Sequence, residues 1–184
     1  MVNYTTANNI TDLQAILALQ KANLAQGLTL EERQSQGFVT VNHSFDQLKN
    51  LNDYEKHIIA KDNDKIIGYL LAMTKLSKFD IPILVPMFNA FGSILYGYRK
   101  VDDYNYIVVG QVCIDKEYRG KGILDNCYSA YKNYYSDKYD FAITEIASDN
   151  LRSINAHKRI GFKEIHSYIA PDNTEWMVVL WDWN

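Results

Sequence analysis

The stretch "VVGQVCIDKEYRGKGIL", residues 108 to 124, decides the fold. With the preceding "YNYI", its first half is rich in β-branched and aromatic residues, and it reads as a buried central strand over 104 to 114. Its second half places Gly120 and Gly122 among basic residues. Ile123, Cys127, Tyr128, Ala130, Tyr131 and Tyr134 then follow at helical spacing. The loop at 115 to 120 therefore joins a central strand to a helix. Such a loop aims backbone N–H groups outward, and the first helical turn adds unpaired donors and the positive end of the dipole. This suits a phosphate, which the glycines let the backbone approach and to which Arg119 and Lys121 add charge. The alternative is a tight connection whose basic side chains are solvated.

Working outward, "KHIIAKDNDKIIGYLLAM" reads as an antiparallel hairpin turning at "DNDK". Downstream, "FAITEIAS" is a strand, and a helix from about Leu151 to Arg159 ends at Gly161. "FKEIHSYIA" and "EWMVVLWDW" form a last hairpin around "PDNT". Upstream, residues 10 to 24 carry a helical stripe, with Asn8, Asn9 or Thr11 as its N-cap. Thr29 and Glu32 fit a capping box for a short helix over about 30 to 36, and Phe45 to Leu51 suggests a third helix. The apolar run "IPILVPMFNAFGSILYGY" is broken by prolines and glycines and is too short to cross a membrane, so it is read as part of an insertion from Leu76 to Tyr104. The order implies a mixed α/β fold with a largely antiparallel sheet flanked by helices, unlike the regular alternation of a doubly wound sheet.

A length of 184 residues fits a single domain over 1–184. The hydrophobic fraction of 47% excludes disorder by composition. A net charge of −3 gives no broad positive field for a nucleic acid or an anionic membrane. Cys113 and Cys127 are too few for a disulfide framework, and the polar start lacks a signal-peptide core, so a cytoplasmic location is expected. Neither thiol has an activating partner in sequence, and both are expected to be buried and inert. His43, His57 and His166 are scattered without metal-ligand spacing, and no metal is expected. "RGKGIL" lacks the third glycine of the dinucleotide fingerprint, and the chain contains no Walker-type phosphate loop. A different phosphate-bearing cofactor is indicated.

"VVGQVCIDKEYRGKGIL" followed by "ITEIASDNLRSINAHKRIGF" resembles the acyl-CoA-binding core of the GNAT superfamily of N-acetyltransferases, most strongly over about 107 to 162. The family's Arg/Gln-x-x-Gly-x-Gly/Ala loop falls on Arg119, Gly122 and Leu124, the last of which departs from the pattern. The resemblance implies a central strand and parallel successor that splay apart, with acyl-CoA in the gap. It further implies that Val112, Cys113 and Ile114 pair with the pantetheine arm, and that Arg119, Gly120, Lys121, Gly122, Ile123 and Leu124 hold the pyrophosphate. It makes acetyl-CoA the co-substrate and a primary amine of a small molecule or peptide the acceptor, attacked directly in a ternary complex. An acyl-CoA-binding module without turnover is the alternative.

Members resembling bacterial protein N-terminal acetyltransferases carry a glutamate base five residues before an asparagine and a tyrosine acid seven residues after it. Those positions are Glu145, Asn150 and His157. Glu145 lies in the apolar run "AITEIA", where burial would raise its pKa toward a useful base; otherwise it is a strand glutamate facing solvent. Asn150 is a contact to the cofactor arm, a helix N-cap, or both. His157 replaces the tyrosine, and an imidazolium of pKa roughly 6.5 can donate to a thiolate whose thiol has a pKa near 8.5; otherwise it packs on a helix face. Acceptor specificity is expected from residues 24 to 40 and from the insertion. The apolar end "WMVVLWDWN" either completes the sheet or meets a second subunit of a homodimer.

Overall fold

The computed structural model describes residues 1–27, 29, 31 and 37–183. Its strands are β1 (Val2–Thr6), β2 (Ile58–Asp62), β3 (Lys65–Met73), β4 (Leu95–Tyr96), β5 (Arg99–Lys100), β6 (Tyr106–Ile114), β7 (Phe141–Ala147), β8 (Lys163–Ile169) and β9 (Glu175–Asp182). Its α-helices are α1 (Ile10–Lys21), α2 (Phe45–Tyr54), α3 (Val85–Phe91), α4 (Ile123–Tyr135) and α5 (Leu151–Ile160). Seven strands form one sheet in the order β1-β2-β3-β6-β7-β9-β8, with β4 and β5 a separate hairpin. Every ladder of the large sheet is antiparallel except that between β6 and β7. The sequence expectation of a largely antiparallel sheet holds, and the apolar C-terminal run lies inside the sheet as β9.

Local chemistry accounts for the boundaries. Asn9 caps α1 by accepting from the Asp12 N–H at 2.8 Å. Ser44 and Gln47 close a capping box at the start of α2. The turns after β2 and β8 use Asn63 and Asn173 in the left-handed region, which short amide side chains tolerate. The expected helix over 10 to 24 stops at Lys21, because the backbone at Asn23 and Ala25 instead bonds to Val39. The short helix expected over about 30 to 36 lies outside the described residues apart from position 31.

Alternation along the strands fills two cores. On one face Leu13, Ile16, Leu48 and Leu51 from α1 and α2 meet Tyr69, Leu71, Tyr106 and Ile143. On the other, Cys127, Tyr128, Tyr131 and Tyr135 from α4 and Ile154 from α5 meet Leu70, Ile107, Val109 and Ala142. The insertion folds onto the first core through Met87, Phe88, Phe91 and Val101. Among the described residues, no helix is long and apolar enough to cross a membrane.

The parallel pair is short. β6 and β7 pair only from Tyr106–Phe141 to Val108–Ile143, and beyond that hydroxyls take over. Tyr131 donates to the Val108 carbonyl at 3.1 Å and Thr144 to the Val109 carbonyl at 2.7 Å. On its other side β6 bulges at Gly110, where the register against β3 shifts between Leu71 and Ala72. A Cβ at Gly110 would lie 2.2 Å from the Met73 sulfur.

Replacing the Thr144 hydroxyl by a methyl group, Thr144→Val, leaves the Val109 carbonyl without that donor at nearly constant volume. The expected loss is about 1–3 kcal/mol of unfolding free energy, read as a lower denaturant midpoint at unchanged slope.

Candidate active site

Where β7 leaves β6, a cleft of about 510 Å³ opens. Val112, Cys113 and Ile114 line it from β6, and Arg119, Gly120, Gly122, Ile123 and Leu124 from the loop and the start of α4. Asn150, Arg152, Ser153 and His157 face them from α5 and its cap, while Asn23 and Gly37 to Val39 cover one side. The structure thus brings together nine of the ten residues expected at a cofactor. Lys121 is the exception, with its ammonium 5.1 Å from the centre of the Tyr118 ring.

Gly120 and Gly122 have φ of +74° and +75°, left-handed values that glycine adopts without strain. Gly122 is the N-cap of α4 and supplies no side-chain cap, so the first-turn N–H groups face the cleft mouth with the helix dipole behind them. A turn of this kind can seat an anion, and Asp125, the acidic residue of that first turn, is paired with Arg159. Arg119 serves the turn indirectly: its Nε donates to the Ile114 carbonyl at 3.0 Å and its Nη2 to Asn23 Oδ1 at 2.7 Å, which ties the loop to β6 and to the segment after α1.

A second, smaller cavity of about 70 Å³ adjoins the cleft and carries Glu145, Thr144, Gln111, Thr40 and Trp176. Six residues line both spaces: Phe38, Val39, Val112, Asn150, Ser153 and His157. Their shared position marks the junction. Burial pushes the Glu145 carboxyl up to about 7, and a hydrogen bond from the Tyr168 hydroxyl opposes that rise. Glu145 thus points into a cavity and does not project into bulk solvent. The insertion, expected as an acceptor wall, contributes no residue to either space; part of its apolar content packs in the core and part, including Phe79, Ile83 and Leu95, is exposed, while residues 37 to 40 do line the two spaces.

Asn150 caps α5, its Oδ1 accepting from the Ser153 N–H at 3.3 Å, while its Nδ2 donates to the Phe38 carbonyl at 3.3 Å. His157 is 3% exposed, and burial lowers its pKa to about 4. Nδ1 lies 2.8 Å from the Ser153 carbonyl, which only accepts, so Nδ1 carries the proton. Nε2 therefore accepts from the Tyr128 hydroxyl at 2.6 Å. The imidazolium that the sequence reading asked of His157 is thus disfavoured, since the ring is buried, neutral and occupied at both nitrogens.

Burial also pushes the Cys113 thiol up to about 12 and Cys127 likewise. Sequence reasoning missed Asn23, Ser153, Tyr168 and Trp176, whereas Phe38 falls in the 24 to 40 segment expected near the acceptor. Only Ser153 sat within a recognised motif, three residues after Asn150; the others reach the site through tertiary packing.

A family model described as the acetyltransferase (GNAT) family matches residues 24–162. No curated protein sequence matches the chain. Among solved structures, a chain of the NatC complex bound to Gag peptide and CoA is similar at a TM-score of 0.68 and 14% identity, over 100% of this chain and 99% of that one. The ribosomal-protein-S18-alanine N-acetyltransferase of Escherichia coli is similar at a TM-score of 0.63 and 12% identity, over 99% and 94%. NAA60 of Arabidopsis thaliana in complex with acetyl-CoA is similar at 0.67 and 10%, over 99% of each chain. At these identities the likeness is one of fold.

The raised Glu145 pKa carries a sign. Between its ordinary 4.5 and about 7 the folded chain holds a proton that the unfolded chain releases, so this group's stabilisation is lost as pH rises through that window. Glu145→Gln should therefore gain stability over wild type as pH goes from about 5 to about 8 in paired denaturant titrations. The buried histidines His43, His57 and His157 titrate in both proteins and cancel in the difference. A difference that does not vary with pH would mean an ordinary carboxyl.

Proposed function

The chain belongs to the acetyltransferase (GNAT) family, a family of acyltransferases, and from that premise we propose that it transfers the acetyl group of acetyl-CoA directly to a primary amine on a small molecule or peptide. The observation that carries this reading is the junction of the two cavities, where a cleft running to the Gly120–Gly122 turn and a helix N-terminus meets a pocket that holds the half-buried Glu145 carboxyl. Acetyl-CoA fits the first space chemically. The Gly120–Gly122 turn and the first N–H groups of α4 suit its diphosphate, and the edge of β6 from Val112 to Ile114 suits its amide-bearing arm.

In this reading Glu145 is the base. It receives a proton from the amine nitrogen as the C–N bond forms, and with a pKa near 7 it is ionised often enough to do so at neutral pH. The backbone N–H groups of Val112 and Ile114, which alternate away from the β3 ladder and are unpaired by β7, are the donors available to a carbonyl oxygen that gains charge. The C–S bond then breaks, and the electron pair leaves on sulfur. The acceptor enters past Phe38, Thr40 and Trp176, so its amine is carried on a group narrow enough to reach Glu145. The reading takes residues 1–184 as one domain working in the reducing cytoplasm, supported by a sheet that draws strands from both ends of the chain and by two free thiols.

The test is thiol release from acetyl-CoA against a panel of amino-terminal peptides and polyamines, beside calorimetric binding of acetyl-CoA. Glu145→Gln is expected to lower kcat/KM by about 10²–10⁴-fold with acetyl-CoA affinity unchanged, and the wild-type rate to rise through about pH 7. Tight binding without amine-dependent release for any acceptor would instead indicate a binding module.

A further inference from the structure

The leaving sulfur needs a partner, and His157 is engaged elsewhere. With Nδ1 carrying the proton, the ring can only donate toward Ser153 Oγ, 3.3 Å away, so the Ser153 hydroxyl cannot spend its own hydrogen on His157. No other acceptor for that hydrogen lies within bonding distance among the described residues. Ser153 also lines both the cleft and the Glu145 cavity, and it is the one hydroxyl among the side chains shared by the two spaces. Asn150 is held on Oδ1 by the Ser153 N–H and gives one of its two amide hydrogens to the Phe38 carbonyl, and Phe38, Val39 and Val112 have apolar side chains.

We propose that Ser153 donates its hydroxyl hydrogen to the sulfur of the departing coenzyme A thiolate, and that His157, locked by Tyr128, is the positioning residue that holds Ser153 there. The inference rests on the acetyl-transfer reading above. The amine lone pair forms the C–N bond, the C–S pair moves to sulfur, and the nitrogen proton goes to Glu145. Ser153 keeps its proton and stabilises the thiolate by a charge-assisted hydrogen bond, which leaves the sulfur to be protonated later from solvent. A serine hydroxyl is too weak an acid to give its proton to a thiolate. Ser153 stands in the first turn of α5, where the helix dipole favours negative charge as well. The charged and titratable groups lining the two spaces are Glu145 on β7, Cys113 on β6, Tyr118 and Arg119 on the loop, Asp125 on α4, and neutral His157, Arg152 and Arg159 on α5; above about pH 8 Glu145 is already ionised, and the Cys113 thiol, pushed up to about 12 by burial, is still protonated, so neither distorts a thiol titration there.

The experiment titrates the thiol of bound coenzyme A by the ultraviolet absorbance of its thiolate, in wild type and Ser153→Ala, with calorimetry of the S-methyl thioether of coenzyme A as a control for the cleft. In wild type the bound thiol should be more acidic than free coenzyme A, and Ser153→Ala should raise its pKa by about one unit, a tenfold loss of thiolate stabilisation, with affinity for the S-methyl compound unchanged. With an active acceptor, kcat should fall about tenfold at constant KM for the amine. An unaltered thiol pKa in Ser153→Ala, or an equal loss of affinity for the S-methyl compound, would overturn the role of Ser153 and leave the acetyl-transfer reading intact. Failure of wild type to bind coenzyme A and its S-methyl thioether would overturn both.

Discussion

The parting of β6 from β7 after Val108 is the constraint on which the rest of the molecule depends. A central strand that loses its neighbour leaves backbone donors and acceptors that must be paired or given to a ligand. Two of the carbonyls are taken by the Tyr131 and Thr144 hydroxyls, which pin the fork from the helix and from β7. The remaining edge of β6 runs along the cleft, where an extended ligand arm can pair as an added strand does. The bulge at Gly110 bends β6 at the fork, and it requires glycine because Met73 from β3 packs where a side chain would begin.

The cover of the cleft is fixed from two sides by groups that also build its walls. Asn23 receives Arg119 on its side chain and Val39 on its backbone carbonyl, which joins the glycine loop before α4 to the segment above the junction. Asn150 caps α5 and also holds the Phe38 carbonyl, so the same segment is tied to the opposite wall. The anchoring bonds are made by amides and one half-buried guanidinium, whose geometry salt does not screen as it screens exposed pairs.

Where sequence was informative, it was so for local reasons. The β-branched run before "RGKG" and the helical spacing after it determine a strand–loop–helix unit without reference to anything distant, and the structure has β6, the loop and α4 there. The final hairpin and the order of the elements follow from the same alternation and turn residues. The end of α1 was misjudged because its stop is set by a bridge between Leu24 and Val39, a contact across the chain. The insertion lines neither cavity, which its apolar run did not foretell, since such a run reads the same whether it lines a cavity, fills a core or stays exposed. Tyr168 was invisible beside Glu145 since the pair forms only when β8 and β9 fold over the end of β7. The tautomer of His157 likewise depends on Tyr128 from another helix.

Burial acts in opposite directions on the two titratable groups nearest the junction. It lowers the His157 imidazole to about 4 and raises the Glu145 carboxyl to about 7, so the first is a fixed neutral dipole and the second a group poised to exchange a proton. Desolvation alone would carry a carboxyl further up, and the Tyr168 hydroxyl restrains it by stabilising the ionised form. That balance divides the chemistry. In the proposed reaction, proton traffic falls to the strand side, where β7 and β8 supply Glu145 and Tyr168, and charge stabilisation without proton exchange to the helix side, where α5 presents a hydroxyl, a cap and a dipole. In that reaction the base and the sulfur partner come from β7 and from the helix that follows it, and because Ser153 keeps its hydrogen the two do not compete for the same proton.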